Sequence, residues 1–235
     1  MKKIITGILV LSTLVFGAMD EGKGKPQGKK QMKMFQTVGM KQAIILQDGK
    51  EKMFCPSCGM TLPVFYKTNH AATHGDHTEQ YCSLHCLTET NMKNNGSLKD
   101  IKVVDVTTLK FIDANKATYV VGSSKKGTMS MKSKYAFAKK KDANAFAKKF
   151  GGKVLNYEKT SKIASKGLEK EMKMIAKRQA KMAQKGEMMY KKMCKKTDVT
   201  FNSTAQAKAF VKSSKICGDM KGKKLQAVGI YLGRR

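Results

Sequence analysis

The sequence predicts an α+β fold, and three observations carry that reading. Short apolar runs bounded by turn residues recur between residues 43 and 121. A strand–strand–helix–strand order is legible between Thr118 and Glu158, and a proline-free stretch rich in Lys, Met, Ala, Gln and Glu from Ser165 to Lys196 favours an exposed helix. With 235 residues, 41% hydrophobic and 27% charged, the chain can build a modest core and is not a wholly disordered polymer.

Met1-Lys2-Lys3 followed by the apolar run Ile4 to Ala18 has the form of a cleavable signal peptide over 1–18, with cleavage near Gly17 or Ala18. The run is shorter than the roughly 20 residues that span a bilayer, so the expected product is a soluble exported protein located in the periplasm. Residues 19–35, with Gly22, Gly24, Pro26, Gly28 and several lysines, read as a flexible linker. From there the chain divides into a Cys/His unit (36–100), a second unit (101–164), a helical linker (165–188) and a small C-terminal module (189–235).

In the Cys/His unit, Ala43 to Leu46 and Lys52 to Phe54 read as short strands leading into Cys55. In the second unit Val103 to Val106, Thr118 to Val121 and Tyr135 to Phe137 read as strands. Asp142 to Phe150 has helical spacing and closes on Gly151-Gly152, and Lys153 to Tyr157 returns as a strand. At the end of the chain Phe201-Asn202-Ser203-Thr204 supplies an N-cap candidate for a helix through Lys212, and Leu225 to Leu232 reads as a final strand. Cys194 and Cys217 flank that helix and predict a disulfide in an oxidising compartment.

The 47 Lys and Arg against 17 Asp and Glu give a formal net charge of +30. Such a balance first raises nucleic acid as a partner. Export argues against it, as do the absence of Trp and lysines spread along the chain instead of flanking a stacking platform. An anionic membrane surface or an acidic partner suits the charge better. No Ser-His-Asp order, phosphate loop or paired-carboxylate motif is present, so no enzyme is predicted.

The chemistry gathers between Cys55 and Cys86, a window holding four of six cysteines and all four histidines. Cys55-x-x-Cys58 can ligate an ion from a tight turn, and Cys82-x-x-x-Cys86 from the first turn of a helix. Four cysteines most often hold structural Zn(II), and disulfides or a thiol–disulfide reductase are further alternatives, the last lacking its βαβ context. Thioether is a soft ligand suited to Cu(I), so Met60 beside the first pair, with Met129 and Met131 in Gly127-Thr128-Met129-Ser130-Met131, turns the expectation toward copper. Met172, Met174 and Met182 read as helix residues that fill space. His85, between the last two cysteines, is expected near the primary shell. His70, His74 and His77 are expected on a polar loop marked by Gly75-Asp76 that supplies auxiliary or entry ligands.

Cys55-x-x-Cys58-Gly59-Met60 and the stretch from Lys110 to Glu158 together resemble the nitrous-oxide reductase accessory family, NosL. The second match includes Phe111-Ile112-Asp113-Ala114, Thr118 to Ser123, Gly127-Thr128-Met129 and Gly151-Gly152-Lys153-Val154. The resemblance implies two ββαβ units and one Cu(I) held by soft ligands, Cys58, Met60 and Met129 matching the family's positions. It implies a role in assembling the copper centres of nitrous-oxide reductase, hence in denitrification, as a metallochaperone for that apo-enzyme. Thr128 and Ser130 depart from the family's Pro-Met-Gly, and Tyr81-Cys82-Ser83-x-x-Cys86 looks instead like half of a TRASH-type module. The copper site is therefore expected to be rebuilt around Cys82, His85 and Cys86, or a second metal to be held there, with a structural-zinc module or a heavy-metal sensor or scavenger as the alternatives.

Overall fold

In the computed structural model, residues 34–235 are described, and the expected signal peptide and most of the linker lie outside them. Residues 33–235 form one compact unit. Two ββαβ units are present. The first runs β1 (His70–His74), β2 (His77–Tyr81), α1 (Leu84–Lys93) and β3 (Lys99–Val104). Gly75-Asp76 forms the two-residue turn of the β1–β2 hairpin, with Gly75 at φ +57° as such turns require. With β4 (Phe111–Asp113), the sheet has the antiparallel order β2-β1-β3-β4.

The second unit runs β5 (Thr118–Val121), β6 (Lys134–Phe137), α2 (Lys140–Phe150) and β7 (Lys153–Asn156), with sheet order β6-β5-β7. Ala143 and Phe146 on α2 cover Val120, Tyr135 and Phe137, which is the helical spacing read in the sequence. Asp105 joins the units. It is buried, its carboxylate accepts from the Thr107, Thr108 and Ala138 amides, and its backbone bridges to Ala136.

Three expectations are corrected. Ala43 to Leu46 is extended but enters no sheet, because side chains take the place of a ladder. Tyr66 Oη accepts from the Ile44 amide at 3.0 Å, and Gln80 Oε1 accepts from the Leu46 amide at 2.9 Å. Lys52 to Phe54 is a turn with a single bridge, Phe54 to Thr61. Leu225 to Leu232 is helical, within α5 (Gly222–Leu232), since Leu225, Val228 and Leu232 recur at helical spacing and bury one stripe in the C-terminal core. A short apolar run of this kind does not by itself distinguish strand from helix.

The Lys/Met-rich helix is also longer than expected. α3 spans Tyr157–Met193, about 55 Å at 1.5 Å per residue. Asn156 caps it by accepting from the Lys159 amide at 3.0 Å, so the strand β7 passes into the helix without a loop. Thr160, Ala164 and Leu168 bury the first turns against the ββαβ units, whereas Gly186 and Tyr190 bury the last ones against α5. A Cβ at Gly186 would overlap the Ala227 carbonyl, so only glycine permits this helix approach. α4 (Thr204–Ser214), capped by Ser203 as expected, completes the C-terminal module, and Cys194 is disulfide-bonded to Cys217. No helix among the described residues is long and apolar enough to cross a membrane.

His70 illustrates what burial costs. Its Nδ1 lies 3.1 Å from the Thr68 carbonyl and its Nε2 3.2 Å from Tyr119 Oη, and burial pulls its pKa down to about 4. The folded value lies below the unfolded one, so the unfolded chain binds the proton first. The associated stability is present above the ordinary histidine pKa and is lost as pH falls toward 4. We predict a loss of about 2 kcal/mol between about pH 7 and about pH 5 from this group. Urea midpoints across that interval check it, and a His70→Gln variant with an undiminished pH slope would refute the assignment.

Candidate metal centre

Two local structures bring the thiols together. Cys55 to Met60 is a tight turn in which the Cys55 amide donates to the Met60 carbonyl at 2.8 Å and the Gly59 amide to the Cys55 carbonyl at 2.7 Å. Gly59 has φ +70°, and a Cβ there would strike Thr204. Cys82 follows β2, Ser83 caps α1 by accepting from the Cys86 amide, and Cys86 therefore lies in the first helical turn.

The four sulfurs of Cys55, Cys58, Cys82 and Cys86 all lie within 4.8 Å of one another, and all four residues are buried. Cys82 Sγ is 3.5 Å from Cys58 Sγ and 3.6 Å from Cys86 Sγ. A tetrahedral ion with metal–sulfur bonds of about 2.3 Å sets sulfur–sulfur edges of about 3.8 Å, so the spacing suits a single ion. It is the one such group among the described residues. All four are free cysteines in the structure.

Three of the thiols are shifted, and not in the same direction. Burial raises the Cys55 thiol, but hydrogen bonds from Cys58, Cys82 and Cys86 outweigh it and hold Cys55 well below the ordinary thiol range. Burial, with the interactions of Cys55, Cys58 and Cys86, pushes Cys82 well up. Cys86 is raised chiefly by its interactions with Cys55 and Cys58. Metal binding at a group of buried thiols displaces their protons.

Met60 and Met129 pack against the hydrophobic core that contains the four cysteines, Met129 with a left-handed backbone at φ +55°. Met131 is 68% exposed. Thr128 Oγ1 lies 2.7 Å from Thr68 Oγ1, and Ser130 Oγ donates to Glu171 Oε1 at 2.6 Å, so both departures from the family's Pro-Met-Gly have polar partners.

The histidines correct the expectation of a ligand loop. His70 is buried in β1 with both ring nitrogens engaged. His74 and His77 face each other across the hairpin turn. At about 3.3 Å per residue His77 is about 16 Å along the strand from Cys82, so this pair stands at the far end of the ribbon. His85 is buried, but its Nδ1 is 2.9 Å from Glu171 Oε2 and its ring ties α1 to α3 instead of joining the sulfur group. Hydrogen bonds from His85 and Ser130 lower the Glu171 carboxyl against the opposing effect of burial.

The sequence reading missed Lys208 and Gln226 of the C-terminal module. Lys208 Nζ donates to the Gly59 carbonyl at 2.5 Å and to Gln226 Oε1 at 2.7 Å, and Gln226 Nε2 donates to the Cys58 carbonyl at 3.1 Å. Burial pulls Lys208 down to about 7, while the Cys58 and Cys55 sulfurs act the other way. Its only sequence signal is a lysine on the apolar stripe of α4, three residues from both Ala205 and Val211.

The NosL family model matches residues 46–165, a span that holds both ββαβ units and all four clustered cysteines. The protein belongs to the NosL family. NosL proteins are accessory proteins and not enzymes. A solved structure, the copper chaperone NosL from Shewanella denitrificans, matches at 27% identity over 45% of this chain and 87% of that one, with a TM-score of 0.37. No curated protein matches the chain. Residues 166–235, with most of α3 and all of α4 and α5, lie beyond the NosL match.

Proposed function

We propose that the protein holds Cu(I) as cargo on Cys55, Cys58, Cys82 and Cys86 in the periplasm and passes it to an apo copper enzyme, nitrous-oxide reductase being the first candidate. The observation that carries this is the closed group of four buried sulfurs within a NosL-family chain. Thiolate is a soft donor that binds Cu(I) strongly, and exchange between thiolates lets a carrier give up its ion. Met60 and Met129, packed on the core that holds the cysteines, would offer soft thioethers beside them. The basic surface suits an acidic recipient or an anionic membrane surface.

Structural Zn(II) is the second reading, because four buried thiolates at tetrahedral spacing leave no open position. Anaerobic titration of the reduced protein with each ion separates the two. The expected result is stoichiometric Cu(I) binding that outcompetes Zn(II). Met60→Ala and Met129→Ala are expected to weaken Cu(I) several-fold and to leave Zn(II) unchanged. Stoichiometric zinc with no measurable Cu(I) binding would remove the copper reading. Transfer is tested by mixing the Cu(I)-loaded protein with apo nitrous-oxide reductase and following copper in the separated partners.

A further inference from the structure

The C-terminal module lies outside the NosL match, yet it forms one wall of the thiol turn. Phe54, next to Cys55, is embedded in the module's core with Leu225, Val228 and Leu232. Thr204 fills the space that a side chain at Gly59 would need, and Gly229 leaves room for the stem of Lys208. Lys208 is 1% exposed, and its Nζ contacts the Gly59 carbonyl, Thr61 Oγ1 at 3.3 Å and Gln226 Oε1, and stands 4.2 Å from the Phe54 ring centre. These partners are neutral. The ion pairs of the described residues do not include Lys208. A buried ammonium whose hydrogen-bond partners are all neutral is costly, so its place on the carbonyl of the residue after Cys58 suits an anion nearby. A metal held by three or four thiolates is such an anion, because the thiolate charges exceed that of Cu(I) or Zn(II).

We propose that α4 and α5 form a latch on the metal centre and that Lys208 is its positioning residue, fixing the Cys55–Gly59 turn and balancing the negative charge of the loaded cluster. The idea rests on metal binding by the four cysteines and adds to it how the ion is retained. A cluster loaded by three or four thiolates carries net negative charge, and the Lys208 ammonium, buried on the Gly59 carbonyl, stabilises that form. Release to a recipient is then favoured by lifting the module from the turn.

The test uses the full chain with Lys208→Met, which keeps the length of the stem and removes the charge. Lys208→Gln keeps a donor for the Gly59 carbonyl and guards against a folding defect. Cu(I) and Zn(II) affinities are measured by competition, and metal-free melting temperatures are measured alongside. The expected result is a 10–100-fold loss of affinity with the metal-free melting temperature unchanged or raised, in line with the effect of groups just outside a metal's ligands. A purely structural lysine would lower melting temperature and affinity together, and that outcome overturns the charge role, as does an unchanged affinity in both variants. Wild-type protein that binds neither ion at the cysteines overturns the metal reading itself and the latch with it. Wild-type binding with insensitive variants overturns the latch alone.

Discussion

Replacing Cys82 with serine is expected to abolish stoichiometric metal binding and to produce the largest effect of any single change at the site. Cys82 Sγ is the sulfur that faces both other elements, 3.5 Å from Cys58 in the turn and 3.6 Å from Cys86 in α1. A serine hydroxyl is a poor ligand for a soft ion, and the change removes one of the interactions that lower the Cys55 thiol. Affinity should fall by more than the 10–100-fold that changes outside the ligand shell produce. Cobalt(II) substitution reads this directly, since the sulfur-to-metal absorption should be lost in Cys82→Ser and retained in His74→Ala with His77→Ala. Retained absorption in the serine variant would show that the four sulfurs do not act as one site.

Opening the Cys194–Cys217 disulfide is expected to cost about 3 kcal/mol, the chain-entropy figure for a loop of this size. The bond ties the end of α3 to the segment after α4, and the module it closes has a small core built on Tyr190, Val211, Leu225 and Leu232. The loss should be local. In a Cys194→Ser, Cys217→Ser variant, hydrogen exchange is expected to accelerate in α4 and α5 first, while β5, β6 and β7 keep their protection. Because α4 carries Lys208 onto the thiol turn, the same variant should release Cu(I) faster than wild type. Uniform loss of protection across both sheets would contradict a separately opening module.

The elements that could be read in the sequence are those whose pattern is local. β5, β6, α2 and β7 were legible because alternation, helical spacing and the Gly151-Gly152 stop fall within a few residues of each other. The cysteine spacing likewise gives a turn pair and a helix-start pair, since the geometry of each follows from its own few residues. Ala43 to Leu46 and Leu225 to Leu232 were misread because their apolar runs fit either period. Their state is decided by distant partners, Gln80 and Tyr66 for the first and α3 and α4 for the second.

The sequence alone thus determined the α+β class, the four sulfurs and the softness of the ligand set, properties of residue type and short-range spacing. Tertiary structure decided which groups meet. It set the two cysteine pairs within 4.8 Å of each other, committed His70 to Tyr119 and His85 to Glu171, and held His74 and His77 at the far end of a hairpin. It also brought Lys208, 149 residues along the chain, onto the Gly59 carbonyl. Such a contact has no local signature, because the free energy that drives it comes from burying the apolar faces of α3, α4 and α5 and not from the lysine itself.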